Sequence, residues 1–294
     1  MQVNSPLFHL WHALKKRPMN IYPVPPCCGR KTVRHRLVGG GWPFLLTVVA
    51  VLALLSSLPL LGAPARVLVY QKNGKGFVHD NLAASADAIR SLGQENGFAV
   101  DVSTNPTVFM EQNLKQYRAL IFANSNNEAF ENDEQRAAFE RYIRTGGGFV
   151  GIHSSTGSER NWVYFQQVQG AKFFRHAPLQ KFNIDVLDAK HPATAHLDRT
   201  WAWTDECYFF TNLNSDMRVL LAVDTNGLKD SKLSSAPGEK VHGIFPLAWC
   251  HESDRGRQFY TSLGHKIESY SDPVFRQHLL GGIRWVLGEE TFKP

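Results

Sequence analysis

From Arg66 onward the apolar residues of this chain fall into two alternating rhythms. RVLVY (66–70), FAVDVS (98–103), YRALIFAN (117–124) and GFVGIH (148–153) are short dense runs of strand length. Between them, LAASADAIRSLGQENG (82–97) repeats Leu82, Ala86, Ile89 and Leu92 at helical spacing, with Gly97 placed to end the helix. NDEQRAAFERYIRTGGG opens on Asn132 as a cap, carries an acidic first turn and stops at Gly146. YRALIFAN is apolar enough to be buried on both faces. Strands alternating with helices predict an α/β fold: a parallel sheet with helices on both faces.

After the fourth strand the rhythm changes. KFNIDVLDAKHPATAHL and RTWAWTDECYFF alternate like antiparallel or edge strands, and MRVLLAVD, GIFPLAWC and RQFYTSLG add further strands. DTNGLKDSKLSSAPGEK (224–240) is polar and rich in Gly, Ser and Lys, which predicts a mobile surface loop. DPVFRQHLLGGIRWVLG closes the chain as a helix with Pro273 at its start. There is no internal repeat, so residues 66–290 read as one domain.

Residues 1–65 follow a different pattern. WPFLLTVVAVLALLSSLPLLG (42–62) is uncharged and largely apolar, follows a basic segment and precedes Ala63-Pro64-Ala65. That is the layout of a secretory signal peptide, and it predicts export to the periplasm or the cell exterior with cleavage near Ala65. The basic segment is long for this role, as if translation starts at Met19. The run also reaches bilayer length, so a retained anchor is the alternative, weakened by Pro59 and the Ser56-Ser57 pair. The leader also explains the charge. The net charge is +6, yet seven of the 32 basic residues and none of the 26 acidic ones lie in 1–65, which leaves 25 basic against 26 acidic. A nearly neutral domain without a basic stripe gives nucleic-acid binding no support. Cys207 and Cys250 are the only cysteines past the leader; they suit buried thiols, with one disulfide open as an alternative.

In an open parallel sheet, ligands bind beyond the carboxyl ends of the strands. That rule gathers His79 from GKGFVHD (74–80), His153 from the elbow GIHSS (151–155), and His265 from LGHKIESY (263–270), with Glu268 a turn later. Such an elbow commonly presents a Ser or Cys nucleophile, and here its central residue is His153. An imidazole there could act as base, metal ligand or oriented donor, with a following helix N-terminus offering amides to an anion. The bland reading is a hydrogen-bonded histidine at the top of a sheet. His79 could equally cap the next helix, and the glycines before it are weak evidence for a phosphate loop. In TDECYFF (204–210), Asp205 and Glu206 are neighbours on a strand, so only one should face a pocket. Trp201, Trp203, Tyr208, Phe209 and Trp249 could line a sugar, though aromatic runs are more often core. His278 reads as structural; His176, His191, His196, His242 and His251 lack a functional context. Neither a nucleotide fingerprint nor a Ser-His-Asp order is present, so no nucleotide cofactor is expected.

Taken together, GFVHD, GGGFVGIHS, HPATAHL, WTDECYF, PLAWCHESDRGRQFYTSLGH and SDPVFRQHLLGGIRWVLG resemble the ThuA-like (trehalose utilisation) domain family, in order over nearly all of residues 66–290. The resemblance implies a three-layer flavodoxin-like sheet related to class I glutamine amidotransferases. It sets His153 where those enzymes carry a cysteine, and His265 near their triad histidine. With Ser154 one position out of register and no cysteine at the elbow, thiol-based glutamine hydrolysis is excluded. The resemblance also implies a small carbohydrate as partner, a disaccharide or keto-sugar, and it carries His79, His153, Asp205, Glu206 and His265 over as site residues. Cys207 replaces the usual aromatic after the acidic pair. Two readings follow: an enzyme using these groups for acid/base work, and a non-catalytic sugar-binding or scaffold protein. In a variant of the first, His79, His153 and His265 hold zinc or another divalent ion. A membrane-anchored interaction module gains weight only if 42–62 is retained.

Overall fold

Each short apolar run becomes a strand. In the computed structural model, which describes residues 63–289, β1 (Arg66–Tyr70), β2 (Ala99–Ser103), β3 (Ala119–Ala123) and β4 (Gly148–Ile152) pair in parallel in the order β2-β1-β3-β4. The leader's apolar run, 42–62, lies outside the described residues, among which no helix is long and apolar enough to cross a membrane. Further strands are β5 (Lys172–His176), β6 (Gln180–Val186), β7 (Thr200–Asp205), β8 (Tyr208–Thr211), β9 (Arg218–Val223), β10 (Pro246–Ser253) and β11 (Gly256–Thr261). β11 joins β4 in parallel, and β10, β9, β6 and β7 extend the sheet antiparallel to its edge. The result is a nine-stranded sheet, half parallel and half antiparallel, while β5 and β8 form a separate two-stranded ribbon. β5 is the strand that hydrophobic alternation did not announce.

The helices form where the periodicity puts them. α1 (Leu82–Asn96) ends on Gly97 in the left-handed region at φ 79°. A short α2 (Glu111–Leu114) precedes α3 (Asp133–Arg144), which Asn132 caps by accepting from the Gln135 amide. α4 (Val163–Gln169) and α5 (Pro273–Leu287) follow, the latter capped by Asp272. Alternation along the buried strands feeds two cores. Val67, Val69, Ile121 and Val150 pack toward α1 and α5, and Leu68, Tyr70, Leu120, Phe122 and Phe149 toward α3 and α4. Phe122 is fully buried, its ring 5.2 to 6.1 Å from those of Phe130, Phe139, Phe149 and Phe165. Truncating such a ring to Ala costs about 3–5 kcal/mol.

One expectation changes on contact with the structure, and two gain detail. A five-residue 3₁₀ turn, His153–Gly157, follows the elbow, and α4 starts only at Val163, so no α-helix N-terminus stands at the elbow to bind an anion. The 224–240 segment is a loop, and Arg175 pins it through a largely buried ion pair to Asp230 at 2.8 Å. Cys207 and Cys250 are both buried free thiols, and burial raises the pKa of each.

Candidate functional site

The crevice is organised around the elbow. Gly151 has no room for a side chain: a Cβ would lie 2.4 Å from Gln169 Oε1 and 2.7 Å from Ser155 Oγ. His153 then turns the chain at φ 52°, a region that costs a side chain about 1–3 kcal/mol and persists only where its surroundings impose it. Here the Tyr260 hydroxyl donates to the His153 carbonyl at 2.7 Å. The His153 ring is completely buried, with Nδ1 2.7 Å from the Ser262 carbonyl oxygen. A carbonyl only accepts, so Nδ1 carries the hydrogen and Nε2 presents a lone pair. Burial, and then the neighbouring His79, hold this imidazole well below its ordinary pKa, so it is neutral at pH 7.

Four groups crowd that lone pair. His79, from the loop after β1, brings Nε2 to 3.1 Å; His265, from the loop after β11, brings Nδ1 to 3.3 Å; and the Tyr208 hydroxyl lies at 2.9 Å. Glu206 Oε2 stands 3.7 Å from His153 Nε2 and 3.3 Å from His265 Nδ1. One atom of each of His79, His153, Glu206 and His265 falls within 4.8 Å of the other three. A single lone pair accepts one good hydrogen bond, so this convergence over-supplies it with partners. Buried His79 compounds the problem, because its Nδ1 has no hydrogen-bond partner. Its pKa is lowered to about 4, by burial first and then by His265. Three imidazoles and a carboxylate form a donor set suited to zinc, and His153 Nδ1 donating to a carbonyl is the outer contact a ligating histidine normally makes. The residues present fit a divalent ion.

The acidic pair divides at the end of β7, whose last residue is Asp205, with Glu206 in the turn beyond. Glu206 faces the crevice. Asp205 is completely buried, and its carboxylate accepts from Gly264 N at 2.8 Å, Glu206 N at 2.9 Å, Trp203 Nε1 at 3.0 Å and His265 N at 3.2 Å. Burial pushes its pKa up to about 6 against the pull of those donors. Asn81 Nδ2 donates to the Gly264 and His265 carbonyls, each at 2.7 Å, and the Tyr270 hydroxyl donates to Gly264 O at 2.8 Å. The turn that presents His265 is thus tied at both its amides and its carbonyls. Asp205 holds this turn and does not line the cavity.

The cavity beside this cluster measures about 360 Å³ and is lined by Phe77, Asn126, Arg160, Phe173, His176 and Tyr208 together with His79 and Glu206. That is within the usual size of small-ligand sites, about 300–1,000 Å³. His176, which sequence spacing passed over, sets Nδ1 3.4 Å from Glu206 Oε1. A larger cavity of about 490 Å³ lies at the amino ends of β3 and β4, between Arg118, Arg141 and Gly146. It contains none of the converging groups, so the site belongs to the smaller one. The proposed aromatic wall is not there: Phe209 and Trp249 are core, while Trp203 stacks on Phe275 with Trp201 beside it. Of those five residues, Tyr208 alone lines the crevice. His278 is buried between the Ala193 carbonyl and the Thr261 hydroxyl, and Glu268 is exposed beside Lys266. His79 caps nothing, since Asn81 holds the N-cap position of α1.

Comparison with known proteins bears on the family and the fold. The family model described as ThuA, trehalose utilisation, matches residues 66–286. A crystallised ThuA-like protein from Bacteroides uniformis is 26% identical, with 78% of this chain and 94% of that one covered at a TM-score of 0.62. One from Parabacteroides merdae, 17% identical, covers 79% and 93% at 0.60, and shows the fold alone. Among curated proteins nothing matches.

Proposed function

The chain belongs to the ThuA, trehalose utilisation, family, and from that premise we propose that it modifies a disaccharide or keto-sugar at a divalent-metal site formed by His79, His153, His265 and Glu206. The observation that carries the proposal is the convergence of these four side chains within 4.8 Å. Zinc in such a site supplies a Lewis acid for a sugar carbonyl or lowers the pKa of a bound water. The chain's own residues do the rest. His153 and His79 are held neutral by burial and offer lone pairs rather than charge. Asp205 and Asn81 fix the turn that aims His265. Glu206 brings the carboxylate nearest the cavity, backed by His176, and is placed to hold a substrate proton. Tyr208, whose pKa burial raises well above its ordinary value, remains a protonated hydroxyl on the cavity wall. The basic leader and the apolar run at 42–62 support export of this activity.

The test is the metal content of the protein purified without added metal, read by mass spectrometry. One divalent ion per chain is expected, lost in His153→Ala and in His265→Ala while thermal unfolding stays cooperative. A folded protein that takes up no zinc when offered it would overturn the metal site. The short Tyr208–His153 contact favours a second reading in that event, an acid/base network centred on His153 and Glu206.

A further inference from the structure

Outside the four-residue cluster, two crevice residues carry features that their contacts leave unmatched, the charge of Arg160 and the exposed ring of Phe77. Arg160 donates from Nε to the Gly157 carbonyl at 2.9 Å and from Nη2 to Asn126 Oδ1 at 3.4 Å, and its guanidinium lies 5.7 Å over the Phe173 ring. Those acceptors are neutral, and among the described residues it makes no ion pair, so a full positive charge on the cavity wall is held in place without a counter-charge. Phe77 is 65% exposed, with its ring edge-on to His79 at 4.8 Å. Its loop is tied down all the same. Asn126 Nδ2 donates to the Phe77 carbonyl at 3.2 Å, Gly74 N donates to Asn126 O at 2.9 Å, and Lys75 N to Glu128 Oε2 at 3.0 Å. Phe77 lines the cavity, where an aromatic face is the usual lining of a ligand pocket. The charges add to the case. Glu206 is the carboxylate lining this cavity, and a divalent ion on the cluster would more than neutralise it, leaving Arg160 within a site of surplus positive charge.

We infer that the crevice binds an acidic sugar, a hexuronate whose carboxylate pairs with Arg160 while its ring lies against Phe77; this deepens, and rests on, the carbohydrate reading of the same site. Guanidinium and carboxylate match in planarity and can pair through two parallel hydrogen bonds. A neutral disaccharide leaves that guanidinium without a counter-charge, so the site should discriminate against it. The C–H face of a pyranose supplies the flat apolar surface that Phe77 lacks in the free protein.

D-glucuronate and D-glucose share a ring and differ in the group at C6, so calorimetry with this pair on the zinc-loaded protein reads the inference directly. Glucuronate should bind at least about tenfold more tightly. Arg160→Gln should reduce it to the level of glucose with zinc content unchanged. Phe77→Ala should weaken both sugars by the same factor, about fivefold, and Phe77→Tyr should restore them. Equal affinities, no binding of either sugar, or a preference for glucuronate that survives Arg160→Gln would overturn it; in the last case the ion, not Arg160, reads the carboxylate. The metal site fails separately. A protein that takes up no zinc, yet prefers glucuronate through Arg160, removes the ion and leaves the acidic sugar standing.

Discussion

Two halves of one sheet meet at the crevice and bring different things to it. The parallel half supplies nitrogen: His79, His153 and His265 leave the carboxyl ends of β1, β4 and β11, strands whose spacing is set by continuous parallel pairing through β3. Two of these imidazoles are buried, and backbone contacts orient His153 and the turn bearing His265. The other half supplies oxygen by a less regular route. Edge strand β7 ends at Asp205, the chain turns through Glu206 and Cys207, and β8 begins at Tyr208 in the separate ribbon. Glu206 and His176 therefore reach the cluster from a turn and a ribbon end, and His176 is 42% exposed. Loops that spring from the central strands of a continuously paired sheet hold their groups more closely than a turn leaving an edge strand. The nitrogen side should fix where an ion sits, and the oxygen side should tune what happens beside it.

Ranked substitutions can break that division. The largest effect belongs to His79→Ala, which removes a buried donor and should lower zinc affinity by more than about 100-fold, since even an outer partner of a ligand is worth about 10–100-fold. Glu206→Gln keeps an oxygen but loses the charge, and should fall near the top of that same range, about 100-fold. Asp205→Asn should fall at its foot, about 10-fold, by loosening the His265 turn, with one ion still bound at saturation. Competition titration against a chelating dye measures all three. A carboxylate variant weaker than His79→Ala would reverse the assignment of the two sides.

Much of the parallel half was legible because its signals are local. Strand runs, Gly97, the Asn132 cap, Pro273 at the start of the last helix and the glycines of the elbow each act on neighbouring backbone. The rule that loops beyond strand ends gather into one crevice then joined three histidines that are 74 and 112 residues apart. The other half resisted for a physical reason. Which of Asp205 and Glu206 faces the cavity depends on where β7 stops. Whether His176 matters depends on the pairing of β5 with β8, a contact with no sequence rhythm of its own. The aromatic wall failed in the same way. Trp249 and Phe209 carry the composition of a sugar platform, but their strands turn them into the core, and the exposed ring at the cavity is Phe77, on a glycine-rich loop.

The smallest effect on zinc affinity, none, sharpens the comparison from outside the site. His278 is a buried neutral imidazole too, packed between the Ala193 carbonyl and the Thr261 hydroxyl, and burial lowers its pKa to about 3. The folded state keeps this ring uncharged, whereas the unfolded chain takes up a proton below the ordinary value of 6.5. Its contribution is therefore complete above that value and is lost as pH falls toward 3, amounting to about 2 kcal/mol by pH 5. His278→Gln should be destabilised at pH 7 by about 1–2 kcal/mol through weaker hydrogen bonds. It should also lose about 2 kcal/mol less than the parent protein between pH 7 and pH 5 in urea unfolding of the metal-free forms. Zinc affinity at pH 7 should not change. If the acid sensitivity were the same in both, His278 would already be protonated in the fold. If zinc binding fell, burial of an imidazole anywhere in the parallel half would feed the site, and the convergence at His153 would no longer be what sets it apart.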